Sequence, residues 1–202
     1  ELRELMQDHG LSHEEVVAMY AYSRQDYADI NSGLRGQDPE QLAAYRAQIA
    51  VTNAALAKLP AARGSVFRRV SAGDWLDDYQ EGATVTERAY TSTSTDYDTM
   101  LGHAGEGSVE FVIRSRTGRD ITQLSGKGEL ENEVLFTPDT RFTVKSRHVE
   151  DDGTVVIYMD EDVTNATPAM RSRAPGQDAE AEPSPAAPRG GGGEGSKGSK
   201  RR

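Results

Sequence analysis

Residues 129–136 read ELENEVLF, in which Glu131 and Glu133 stand one residue apart just before the apolar Val134, Leu135 and Phe136. Side chains alternate faces along an extended strand, so the spacing predicts Glu131 and Glu133 on one face and Asn132, Val134 and Phe136 on the other. Two carboxylates side by side raise each other's cost of ionisation, and a strand entering a core has no structural need for both. Such a pair could serve chemistry, but standing alone its default reading is a solvated face. Upstream, in SVFRRV, the same alternation sets Arg68 between Val66 and Val70 on a face predicted to be partly buried. A buried guanidinium needs an anionic partner, either a ligand or a structural carboxylate. In AYTSTSTD, Ser92 and Ser94 put hydroxyls on one strand face, flanked by Thr91, Thr93 and Thr95, an arrangement that by itself is an ordinary polar edge.

The elements that must carry these residues follow from pattern. LSHEEVVAMY opens a helix, with Ser12 and Glu15 in the capping-box relation and Val16, Tyr20 and Tyr27 at helical spacing. A second helix is predicted from the Asp38 cap and Pro39 through Leu42, Tyr45, Ile49, Thr52, Leu56 and Leu59, stopped by Pro60. From Gly64 onward the texture turns to β-like runs: SVFRRV, AYTSTS, SVEFVIRS, ENEVLF, RFTVKSRHV and TVVIYMD. The last two flank Asp152-Gly153, a tight-hairpin signal. Helices first and strands later predict an α+β domain with antiparallel sheet rather than alternating βαβ units.

Composition bounds the partners. The chain has 202 residues and a net charge of −10. Residues 1–167 carry 16 basic against 29 acidic side chains, whereas residues 168–202 carry 7 against 4 and are rich in Pro, Gly, Ser and Ala. One folded domain over 1–167 and a flexible tail over 168–202 are therefore predicted. An acidic body argues against nucleic acid as the primary partner. Cysteine is absent, which excludes disulfides, thiolate metal sites and thiol nucleophiles. The four histidines, His9, His13, His103 and His148, lack metal-ligand spacing, so no metal is expected. No apolar run reaches the roughly 18 residues of a membrane span. The chain opens on Glu1 without a signal-type segment and reads as a module cut from a longer or processed protein.

Taken together and in order, Phe67-Arg68, Tyr90-Thr91-Ser92-Thr93-Ser94 and Glu131-Asn132-Glu133-Val134-Leu135-Phe136 resemble the arginine-specific mono-ADP-ribosyltransferases of the R-S-E class, which include bacterial toxins. The flanks are similar too: AMYAYSRQDYADINSGLRG resembles the family's helical segment with its Tyr, Ile-Asn and Leu-Arg positions, and GRDITQLSGKGELENEVLFTPDTRFTV its catalytic loop and strands. The resemblance covers about residues 11–160. It departs at Arg69, where many relatives carry glycine, and in SGKGE, which lacks the aromatic residue often found there.

The resemblance implies cleavage of NAD at the nicotinamide–ribose bond and transfer of ADP-ribose to an arginine of a target protein. NAD is then a substrate, contacted by Arg68, Arg69, Ser92, Thr93 and Glu133. Catalysis would rest on Glu133 at the ribose, Ser92 fixing its rotamer, Arg68 on the pyrophosphate and Glu131 on the acceptor guanidinium. Tyr97 and His103 are both candidates to stack on nicotinamide. A secreted or delivered toxin or effector acting in a target cell's cytoplasm, with an antidote protein as a further partner, is the implied setting. An NAD glycohydrolase and a non-catalytic NAD-binding module are the alternatives.

Overall fold

The computed structural model describes residues 1–103, 105 and 107–164; the predicted tail at 168–202 lies outside the described residues. Helix α1 spans Leu2–His9 and helix α2 spans His13–Ala21. The capping box read from the sequence starts α2: the Glu15 amide donates to Ser12 Oγ at 3.2 Å, and the Ser12 amide donates to the Glu15 carboxylate at 2.7 Å. A π-helical turn at Tyr22–Asp26 then leads into α3, Tyr27–Gly36. Helix α4 runs Pro39–Lys58, its first turn capped by Asp38, which accepts from the Glu40 and Gln41 amides at 2.9 and 3.2 Å.

The sheet strands are β1 Gly64–Ser71, β2 Thr84–Glu87, β3 Thr91–Ser94, β4 Ser108–Ser115, β5 Arg119–Asp120, β6 Glu133–Phe136, β7 Thr140–Val149 and β8 Val155–Glu161; a short helix, α5, spans Tyr97–Leu101. They form one eight-stranded sheet in the order β2-β7-β8-β4-β1-β3-β6-β5. Every pairing is antiparallel except that of β4 with β8. The architecture is α+β, as the sequence order of helices and strands predicts. The β7–β8 hairpin closes at Asp152-Gly153, where Gly153 takes φ 82°, the left-handed conformation that glycine adopts without penalty.

Two apolar clusters divide the interior. One joins Val66, Phe111, Ile113, Val134, Phe136, Phe142 and Ile157 across the sheet. The other joins Met19, Tyr22, Ile30, Leu56 and Leu59 of the helical layer to Tyr90, Leu124 and Leu135. Strand alternation through β6 thus sends Val134 and Phe136 one way and Leu135 the other, toward the helices. Glu133 shares its face with Leu135, and this geometry carries an ionisable side chain to the helical interface.

The buried stripe of the first helical segment differs from the predicted one. Met19, Tyr22 and Ile30 are buried, whereas Tyr20 and Tyr27 are 50% and 47% exposed. The π-helical turn at Tyr22–Asp26 breaks the regular period between Tyr20 and Tyr27, whereas Tyr20 lies on the exposed side of the regular helix before it. At the centre of the helix–sheet contact, buried Asn31 donates from Nδ2 to Tyr22 Oη at 3.2 Å and accepts the Tyr90 amide at 3.2 Å. It ties α3 to the residue that enters β3.

Asn31→Ala is expected to cost about 1–3 kcal/mol, because the buried Tyr90 amide loses its acceptor. Thr52 offers the contrast: its buried Oγ1 has no hydrogen-bond partner among the described residues. Thr52→Val is expected to be neutral or stabilising, and urea denaturation of both variants checks the pair.

Candidate active site

Strands β3 and β6 pair antiparallel, with Ser92 opposite Leu135 and Ser94 opposite Glu133. This register puts Ser92 diagonal to Glu133, and the Ser92 hydroxyl donates to Glu133 Oε1 at 2.6 Å. The other carboxylate oxygen, Oε2, accepts from Ser125 Oγ at 3.2 Å. Glu133 is 5% exposed. Burial pushes its pKa above the ordinary glutamate range and the nearby Glu131 pushes the same way, while the two serine hydroxyls and Lys127 oppose them.

The carboxylate pair does not arise as predicted. Strand β6 begins at Glu133, so Glu131 is not its strand-face neighbour. Glu131 follows a 3-10 turn at Gly128–Leu130, and Asn132 has φ 43°, a left-handed conformation that Asn tolerates better than most side chains. The turn is fastened from β3: Ser94 Oγ donates to the Glu131 carbonyl at 2.7 Å, and the Thr95 amide donates to the Asn132 carbonyl at 3.1 Å. Glu131 nevertheless lines the same cavity as Glu133, brought there by the turn rather than by alternation.

That cavity has a volume of about 440 Å³ and is walled by Tyr22, Tyr27, Asn31, Arg35, Arg68, Ser92, His103, Lys127, Glu131 and Glu133, among others. Its size suits a small-molecule ligand, and its polar groups converge from helices, strands and one loop. Arg68, half-buried, donates from Nη1 to the Ser92 carbonyl at 2.9 Å. Burial works against its charge, partly offset by Glu87. Among the described residues no carboxylate lies within 4.0 Å of it. Arg68 thus lines the cavity without a salt bridge among the described residues, Glu87 acting on it only at longer range.

Arg69, one residue on, is spent on the fold. It contacts Ser108 Oγ and the carbonyls of Leu101 and Gly105, and lies 3.6 Å from Glu110. Thr93 donates to the Val134 carbonyl at 2.7 Å. Both line only a smaller recess of about 50 Å³, which shares Arg68, Ser92, His103 and Glu131 with the main cavity. Of the two candidate stacking residues, His103 lines both spaces. Tyr97 instead packs edge-on to Phe67, with centroids 5.3 Å apart, and its hydroxyl donates to Glu110 at 3.1 Å.

Sequence reasoning missed Ser125 and Lys127. Their loop is held by the π-helical turn: the Gly126 amide donates to Ser23 Oγ at 2.8 Å, and the Lys127 amide donates to Ser125 Oγ at 3.2 Å. A Cβ on Gly126 would lie 2.1 Å from Arg24 Cγ, so only glycine lets the loop approach this closely. Lys127 Nζ sits 2.7 Å from Glu131 Oε1, a pairing that the four-residue spacing could have suggested. Among the described residues no group of His, Asp and Glu is disposed to hold a metal ion, and no helix is long and apolar enough to cross a membrane.

The ADP-ribosyltransferase exoenzyme family model matches residues 3–166. Over 154 residues the chain is 35% identical to the NAD(+)–protein-arginine ADP-ribosyltransferase Tre1 of Pseudomonas putida strain GB-1, covering 74% of this chain and 29% of that protein. It is 34% identical over 150 residues to Tre1 of Serratia proteamaculans strain 568, covering 71% and 31%. Among solved structures, the Vis toxin, an ADP-ribosyltransferase from Vibrio splendidus, superposes with a TM-score of 0.66 at 26% identity, over 77% of this chain and 76% of that one. The chain thus spans less than a third of the length of these two curated relatives.

Ser92→Ala is expected to remove a donor from a buried carboxylate and destabilise the protein by about 1–3 kcal/mol at neutral pH. The hydroxyl favours the ionised form, so the loss should shrink as the pH falls through the raised pKa of Glu133 and the group protonates. Denaturant titrations at neutral and acid pH measure the difference.

Proposed function

From membership of the ADP-ribosyltransferase exoenzyme family, to which this chain belongs, we propose that the protein transfers ADP-ribose from NAD to an arginine side chain of a target protein. The observation that carries the reading is the Glu133 carboxylate, buried in a cavity wall and held by Ser92 and Ser125, with Glu131 and Arg68 on the same cavity. The names of the Tre1 relatives support arginine as the acceptor.

Arg68 pairs with the pyrophosphate as a charge-assisted fork. The bond from ribose C1′ to the nicotinamide ring nitrogen breaks, its electron pair leaves with neutral nicotinamide, and positive charge develops on the ribose. Glu133, hydrogen-bonded to the ribose 2′-hydroxyl, stabilises that charge more in the transition state than in the ground state. Its hydroxyl donors keep it ionised and fixed before the charge appears, so little reorganisation is needed during the step. A guanidinium nitrogen then attacks C1′ and loses its proton to Glu131. Water at the same carbon gives hydrolysis instead, which is why the second carboxylate matters for transfer and not for cleavage.

The partners on this reading are a target protein presenting arginine and an antidote protein in the producing cell. The catalytic domain acts in a target cell's cytoplasm, reached by secretion or delivery, as a toxin or effector module.

Glu131→Gln should separate the half-reactions, with arginine modification falling by about two orders of magnitude or more, the scale of a general-base term, while slow NAD hydrolysis persists. Labelled NAD with and without a guanidino acceptor reads both products. Equal loss of hydrolysis and transfer in the folded variant would contradict the division of roles.

A further inference from the structure

The carboxylate assigned to the incoming guanidinium already holds a cation. Lys127 Nζ lies 2.7 Å from Glu131 Oε1, with the lysine side chain 46% exposed and that of Glu131 18% exposed. The same ammonium stands 6.0 Å from the centroid of the Tyr27 ring, and Lys127, Tyr27, Glu131 and Glu133 line one cavity. A carboxylate and an aromatic face together make a cation subsite. Its occupant is not there by chance of a floppy loop. The Lys127 backbone is fixed by Ser125, and its neighbour Gly126 is fixed by Ser23 and pressed on Arg24.

We propose that Lys127 is a specificity-determining residue of the acceptor subsite: in the resting enzyme its ammonium occupies the guanidinium's place on Glu131, and only an acceptor that binds the carboxylate better than a tethered ammonium displaces it. This rests on the arginine-acceptor reading given above. A guanidinium grips a carboxylate with two parallel N–H donors, whereas an ammonium binds as a point charge. An incoming lysine therefore offers Glu131 nothing that Lys127 does not already supply, and Lys127 has the added advantage of being intramolecular. Arginine alone among cationic side chains gains by the exchange. Lys127 also spares Glu133: the ammonium lowers, and Glu131 raises, the cost of holding Glu133 ionised.

Lys127→Met retains the length of the side chain and removes its charge. Steady-state transfer to butylguanidine, with butylammonium as competitor, reads the subsite directly. The variant should show a KM for butylguanidine about two- to fivefold lower, the scale of a half-exposed ion pair, and butylammonium, nearly inert against the wild type, should become a competitive inhibitor. The acid limb of NAD hydrolysis should also move to higher pH, since the charge of Glu131 then acts on Glu133 uncompensated. Arg35, Arg68 and His103, the other charged or titratable groups of the cavity apart from its tyrosines, stay in place. Damage to the loop would weaken the acceptor rather than tighten it. An unchanged or raised KM for butylguanidine in folded Lys127→Met, beside normal wild-type transfer, would overturn the proposal alone. A wild type that hydrolyses NAD yet transfers nothing to butylguanidine would overturn the acceptor reading, and this proposal with it.

Discussion

A carboxylate held out of water by hydroxyl donors is the constraint to which the rest of the structure answers. Glu133 sits at the first position of a strand whose next residue on the same face, Leu135, is buried among helical side chains. Desolvation favours protonation there, and hydroxyl donors that reach it from two directions, Ser92 on the adjacent strand and Ser125 on the preceding loop, favour the ionised form. A group whose folded pKa is raised contributes stability that is lost as pH rises through that pKa. An ionised Glu133 therefore works against the fold, a strain of the kind that catalytic centres carry.

Placing the two donors takes most of the architecture. Ser92 depends on the β3–β6 register, a four-residue pairing held between β1 on one side and the short β5 edge on the other. Ser125 depends on a loop anchored more than a hundred positions away in sequence, through Ser23 in the π-helical turn. That turn departs from regular helix where the chain must present Ser23 to Gly126 and Tyr22 to Asn31. Asn31 passes the alignment to Tyr90, at the mouth of β3. The helical layer and the sheet thus converge on one carboxylate by a chain of single hydrogen bonds, three of which join residues more than forty positions apart.

Much of this was legible in the sequence, and the boundary is instructive. Helix α4 was readable because Asp38, Pro39 and Pro60 act locally on the backbone, and the β7–β8 hairpin because Asp152-Gly153 does the same. Arg68, Ser92 and Glu133 were readable as a set from motif order, and they meet at one cavity. The alternation argument for Glu131 failed because it treated the segment as strand. Asn132 is left-handed there, fastened by Ser94 and Thr95 of a distant stretch, and period-two reasoning cannot see a turn imposed from outside. The exposure of Tyr27 escaped for a related reason, since a π-helical turn shifts the period after Ala21. Ser125 carried no periodic signal, and Lys127 only its four-residue spacing from Glu131; the significance of both is tertiary.

The most direct measurement is Glu133→Gln, assayed for NAD cleavage and for unfolding free energy on the same preparation. The substitution keeps the shape and removes the charge. The account expects cleavage to fall by about two to four orders of magnitude while stability at neutral pH is unchanged or higher, because the desolvated charge is gone. Near wild-type cleavage would contradict the role of Glu133, and full loss of cleavage accompanied by marked destabilisation would contradict the claim that an ionised, strained carboxylate organises the site.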